Sequence, residues 1–165
     1  MSYITIDGKS IHYVSPKSII NDNVNRQRVL LVHGATDNHR IWMAQYRYLE
    51  KNYFPLAVDL PGRGGSDGPG IDNNVDYREF IKKLVDALNI TPFVFCGHSM
   101  GGSMALDYAL HYPNDITGFI MVGSSPHWNI EEEVIDRWMN NREEAMKLDF
   151  DTAFSQKTIA IVKES

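Results

Sequence analysis

Residues 93–110 hold the feature that most limits how this chain can fold: Gly97-His98-Ser99-Met100-Gly101, with an apolar run before it and a helical pattern after it. Phe93-Val94-Phe95-Cys96 reads as a short buried strand, and residues 102–110 read as a helix. A chain that passes from strand to helix within a few residues must turn sharply. Glycine on both sides of Ser99 removes the Cβ atoms that such a turn would force together. The serine is then lifted onto the rim of the sheet in a strained backbone conformation. The flanking strand and helix make the pattern specific, because three fixed positions alone recur by chance.

The rest of the chain supplies the sheet this turn needs. Tyr3-Ile4-Thr5-Ile6 and Ile11-His12-Tyr13-Val14 are β-rich runs around Asp7-Gly8, a hairpin signal. Residues 15–27 are polar and read as a loop. Arg28-Val29-Leu30-Leu31-Val32 is continuously apolar after its first residue, as expected of a strand covered on both faces. Residues 41–53 carry apolar side chains at helical spacing, 54–58 read as strand, and 75–88 as an amphipathic helix burying Tyr77, Phe80, Ile81, Leu84, Val85 and Leu88. Residues 116–122 read as a further strand. Strands alternating with helices from Arg28 to Val122 predict parallel βαβ units, and such sheets bind ligands beyond the carboxyl ends of their strands. Three of those ends carry turn chemistry: His33-Gly34, Asp59-Leu60-Pro61-Gly62 and Gly97-His98-Ser99. From residue 129 the character changes, and residues 130–148 read as charged helix.

Composition excludes several classes. A chain of 165 residues with net charge −5 and 22% charged residues suits a globular domain and offers no basic surface for nucleic acid. Residues 131–151 carry eight acids against Arg137, Arg142 and Lys147, which reads as a solvated helix face. The single cysteine, Cys96, excludes an intramolecular disulfide and reads as a small core residue. No apolar run reaches membrane-spanning length and residues 1–10 show no signal pattern, so a cytoplasmic location is expected. The six histidines are scattered and none stands at ligand spacing from Cys, Asp or Glu, so neither metal nor cofactor is expected. Gly62-Arg63-Gly64-Gly65 lacks the Lys-Ser/Thr of a phosphate loop.

In that order, His33-Gly34, Asp59-Leu60-Pro61-Gly62-Arg63-Gly64-Gly65-Ser66 and Gly97-His98-Ser99-Met100-Gly101-Gly102 resemble the motifs of the α/β-hydrolase superfamily. The closest likeness is to its small esterase-type members, including the hydrolases of meta-ring-fission products. The resemblance spans residues 3 to about 125. It implies an α/β-hydrolase fold: a mostly parallel sheet with an N-terminal antiparallel hairpin, here ending before the last two strands. Residues 1–126 would form the core and 127–165 the start of a helical cap.

The resemblance also implies roles. Ser99 is the nucleophile, and the backbone N–H groups of Met100 and Ala35 form the oxyanion hole. Gly34, Thr36, His98, His127 and Trp128 are candidates for the pocket lining, and His33 braces the loop that follows it. Asp59 and Arg63 order the turn after the fourth strand. His111 suits a helix C-terminus, where a cation meets the dipole. Trp42 and Trp138 are packing residues. The family's acid and histidine follow later strands, whereas after Ser99 only His111 and His127 remain. The expected function is hydrolysis of a small ester, thioester, amide or activated C–C bond through a Ser99 acyl-enzyme, inactive in the isolated chain unless His127 serves as base. The alternative is a catalytically inactive hydrolase-fold binding module or a truncated remnant. The expected partner is a small-molecule acyl substrate, with self-association or a C-terminal complement at the strand 116–122 edge. Residues 158–162 are the remaining β-rich stretch that could cover that edge.

Overall fold

The computed structural model describes residues 2–16, 26–127 and 130–153. Strands β1 (Ser2–Ile6), β2 (Lys9–Val14), β3 (Arg28–Val32), β4 (Phe54–Val58), β5 (Phe93–His98) and β6 (Ile116–Val122) form one sheet in the order β1-β2-β4-β3-β5-β6. The β1–β2 and β2–β4 pairs are antiparallel, while β4–β3, β3–β5 and β5–β6 are parallel. The hairpin closes through Asp7 (φ 49°) and Gly8 (φ 79°), the two left-handed positions that a tight right-twisted hairpin turn requires.

The central strands alternate their side chains between two cores. Leu30 and Val32 of β3, with Phe54, Leu56 and Val58 of β4, pack on the face carrying α2 (Asn74–Leu88) and α3 (Met100–His111). Val29, Leu31, Ala57 and Cys96 pack on the other face, against Trp42 and the Tyr46 of α1 (Met43–Leu49). Two-sided burial is why these strands are apolar without interruption. Burial alone raises the Cys96 thiol to about 11, so it is a neutral core group. Helix α2 starts at Asn73, whose side chain accepts the Asp76 N–H at 2.8 Å, and ends at Asn89 in the left-handed region. It buries the six side chains that its spacing predicts.

Two helix boundaries differ from the sequence reading. The segment from residue 41 breaks into a short 3₁₀ turn, His39–Trp42, followed by α1, which ends at Leu49. The Leu49 carbonyl there accepts the N–H groups of both Asn52 and Tyr53. The charged stretch 130–148 is two helices, α4 (Glu132–Asn140) and α5 (Arg142–Ala153). Asn141 separates them: its side chain accepts the Glu144 N–H and donates to the Glu144 carboxylate, a reciprocal N-terminal cap for α5.

By contact density the chain divides into two units, residues 1–127 and 128–165. In the first, β6 lies at the sheet edge, with Phe119, Ile120 and Val122 between 41 and 50% exposed. The second holds α4 and α5. The stretch 158–162 lies outside the described residues.

Candidate active site around Ser99

Strand β5 runs through His98 and α3 begins at Met100, so Ser99 alone makes the turn between them, at φ 52° and ψ −119°. Few non-glycine residues adopt this conformation, which is held by the packing on either side. The Ser99 N–H bonds the Val122 carbonyl at 2.9 Å, and the Ser99 carbonyl accepts from Gly102 at 2.9 Å. A Cβ at Gly101 would lie 2.6 Å from the Val32 carbonyl oxygen and 2.8 Å from that of His33. The start of α3 therefore rests directly on the end of β3, and glycine is what lets it approach. Ser99→Gly is expected to raise stability by about 1 kcal/mol by relieving the positive φ. An unchanged or lower urea midpoint would show that Ser99 stores no strain.

The loop after β3 closes over this turn. A Cβ at Gly34 would stand 3.2 Å from Ser99 Cβ and 3.3 Å from both Asp37 Oδ2 and His98 Nδ1. Gly34, Ser99, His98 and Asp37 thus meet at one point on the sheet rim. His98 Nδ1 lies 3.6 Å from Asp37 Oδ2, and the His98 ring meets the buried Trp42 edge-on. Ala35 and Thr36 are exposed at the loop tip. Among the described residues, neither the Ala35 nor the Met100 N–H has a backbone acceptor.

His33 sets the loop's orientation. It is fully buried, its Nδ1–H donates to the Gly34 carbonyl at 2.7 Å, and its Nε2 accepts the Leu60 N–H at 3.0 Å. Burial holds its pKa below the ordinary value, against the opposing pull of the Gly34 carbonyl and the Asp59 and Asp37 charges. The imidazole is therefore neutral, in the tautomer these two bonds require. With the Gly34 carbonyl drawn inward, a trans peptide turns the Ala35 N–H outward.

Sequence spacing gave no sign of the polar centre beneath this loop. Asp59, fully buried at the end of β4, accepts from His12 Nδ1 (2.8 Å), His39 Nδ1 (2.9 Å), the His39 N–H (2.7 Å) and the Gly65 N–H (2.9 Å). His12 and His39 stand 47 and 20 positions from Asp59, so no local pattern links them. Burial opposes the charge on Asp59, but the Gly65 and His39 N–H groups and then the His39 ring outweigh it. The carboxyl is held below its ordinary value. Only the fold brings them together: the ligand atoms of His12, His39 and Asp59 lie within 4.8 Å of one another. Asp59 also does more than order its own turn.

His127 is exposed, and its hydrogen bonds run through its backbone to Ser125. Trp128 lies outside the described residues. His111 bonds the Asp107 carbonyl in the last turn of α3.

The alpha/beta hydrolase fold family is matched over residues 27–159. The monoacylglycerol lipase ABHD6 of Bos taurus is 34% identical over 104 residues, covering 59% of this chain and 30% of that protein. The enol-lactonase of Burkholderia xenovorans LB400 superposes with a TM-score of 0.78 at 24% identity, over 92% of this chain and 58% of the enzyme. A CIB-like hydrolase of Thermoplasma acidophilum gives 0.68 at 27% identity, over 82% and 66%. The chain spans under a third of the length of the curated relatives it matches. A serine held at positive φ between a parallel strand and a helix, under a glycine loop from the neighbouring strand, is accompanied by a family match over most of the chain: this protein belongs to the alpha/beta hydrolase fold family.

Proposed function

We propose that the chain carries the nucleophile and oxyanion hole of a serine hydrolase acting on a small carboxylic ester. The observation that carries this reading is Ser99 at φ 52°, with its Cβ 3.2 Å from where a Cβ on Gly34 would stand. The neighbouring Ala35 and Met100 N–H groups have no backbone acceptor among the described residues. Ser99 Oγ attacks the substrate carbonyl and forms an acyl-enzyme as the alcohol leaves. Water then releases the acid. The Met100 and Ala35 N–H groups receive the developing oxyanion, a contribution of about 3 kcal/mol per preorganised donor. Gly34, Thr36 and His98 border the acyl group. The ester class rests on the lipase and esterase relatives.

A fluorophosphonate tests this directly. Ser99 Oγ bonds to phosphorus as fluoride leaves, and the hydroxyl proton passes to a base or to water. The expected result is one adduct, mapped to Ser99 by mass spectrometry and absent from Ser99→Ala. An adduct on another residue, or labelling of Ser99→Ala at the wild-type rate, would favour a binding module over an enzyme. Turnover of p-nitrophenyl acetate by the 165-residue chain is expected to be weak. Among the described residues no histidine ring hydrogen-bonds the Ser99 hydroxyl, and a serine without a base typically turns over about four to six orders of magnitude more slowly. Robust turnover abolished by His127→Ala would identify that residue as the base.

The same reading extends to the sheet edge. Among the described residues β6 has no strand on its outer side and leaves Phe119, Ile120 and Val122 half-exposed, and such an edge recruits another strand. The chain is expected to self-associate with rising concentration in sedimentation. A cooperative monomer at all concentrations refutes this.

A further inference from the structure

We propose that the buried Asp59 carboxylate, acting through His39, is a positioning group that holds the loop 34–38 with the Ala35 N–H turned toward Ser99. The proposal rests on the hydrolase reading above and adds a residue to it. Only one of the four N–H groups that Asp59 accepts, that of Gly65, belongs to its own turn. Two come from His39, at the far end of the loop that follows β3, and one comes from His12 on β2. At the near end of that loop His33 Nε2 accepts the N–H of Leu60. Both ends of the five-residue loop are therefore tied to one dipeptide, Asp59-Leu60. The first tie orients the Gly34–Ala35 peptide, and the second prevents the loop from swinging away from Ser99.

The local packing is built around this carboxylate. A Cβ at Gly64, where φ is +53°, would lie 2.1 Å from Asp59 Oδ2, so the turn admits only glycine there. The Ser66 hydroxyl donates to the Asp59 carbonyl at 2.7 Å and accepts the His12 N–H at 2.9 Å. Turn, hairpin and loop thus share one polar centre. The His12, His39 and Asp59 donor set would also suit zinc. However, each carboxylate oxygen already accepts two or more N–H groups, which a cation would have to displace.

The test compares His39→Ala, His39→Asn and Asp59→Asn in the 165-residue chain. Asparagine at position 39 restores a side-chain N–H donor, whereas Asp59→Asn turns an amide donor toward N–H groups. The readouts are the saturable rate of Ser99 phosphonylation and amide hydrogen exchange across residues 34–38. Loss of a full oxyanion donor costs about 10²–10³ in rate, so His39→Ala is expected to slow the bound-state step by about tenfold or more with little change in half-saturation. Amide exchange in the loop should rise, and His39→Asn should recover most of both. Wild-type exchange and labelling in a folded His39→Ala overturn the proposal. If wild type labels on another residue the hydrolase reading fails, and if it does so or does not label at all, loop exchange alone decides the positioning role. One-to-one heat of binding with zinc chloride, lost in His39→Ala, would also overturn it by making the cluster a metal site.

Discussion

Gly97→Ala is expected to unfold the core, costing about 4 kcal/mol or more, a large fraction of the 5–15 kcal/mol that holds a domain of this size together. A Cβ at Gly97 would lie 2.0 Å from the Gly101 carbonyl oxygen, 2.2 Å from its carbon and 2.5 Å from the Gly102 nitrogen. These are backbone atoms in the first turn of α3, so no side chain can rotate aside. The helix itself must move, and it carries Met104, Ala105 and Tyr108 into the core. Tyr108 is fully buried against Phe93 and Phe95, and its hydroxyl donates to Asp115 at 2.8 Å. A Cβ at Gly118 meets nothing within 4 Å, so Gly118→Ala is the matched control and should leave stability nearly unchanged. Urea unfolding followed by circular dichroism separates the two. Equal midpoints would show that the β5–α3 turn has room for a methyl group and that its glycines have another purpose.

The second large effect is expected from pH. His33 is buried and its pKa lies below the ordinary imidazole value of 6.5. Between that lowered value and 6.5 the unfolded chain binds more protons than the folded one, so stability is complete above 6.5 and falls as the pH drops below it. One such group contributes a slope of at most about 1.4 kcal/mol per pH unit. Asp59 has the same sign, but its stabilisation is complete above its ordinary 3.8 and is lost only below that. The two windows are therefore distinct. Urea midpoints between about pH 5 and pH 8 should decline toward acid in the native chain, and in His33→Gln that decline should flatten. A decline of the same slope in the variant would assign the effect to other groups and leave the loop's imidazole without a role in it.

Much of the architecture was legible because its causes are local. The two-sided strands announce themselves as unbroken apolar runs, the hairpin as Asp7-Gly8, and α2 as six apolar residues on one face. The turn at Ser99 was legible for the same reason at Gly97, whose Cβ would meet the Gly101 backbone; Gly101 answers instead to the Val32 and His33 carbonyls of β3. Helix ends were less so. The break at Asn141 depends on which of several polar residues caps which helix, and the pattern from 130 to 148 leaves that choice open.

For the candidate site, sequence alone determined which residues stand at the carboxyl ends of β3, β4 and β5, because strand periodicity and turn chemistry are encoded within short windows. Only the tertiary structure decided how those ends join. His12 and His39 are separated from Asp59 by 47 and 20 positions, and His33 from Leu60 by 27. Nothing in the spacing says that they share hydrogen bonds. They meet because the parallel order β4-β3-β5 sets three strand ends side by side, and because the antiparallel β2 brings His12 back beside β4. There the buried carboxylate of Asp59 must find N–H donors, since a charge removed from water is tolerated only when its lone pairs are filled.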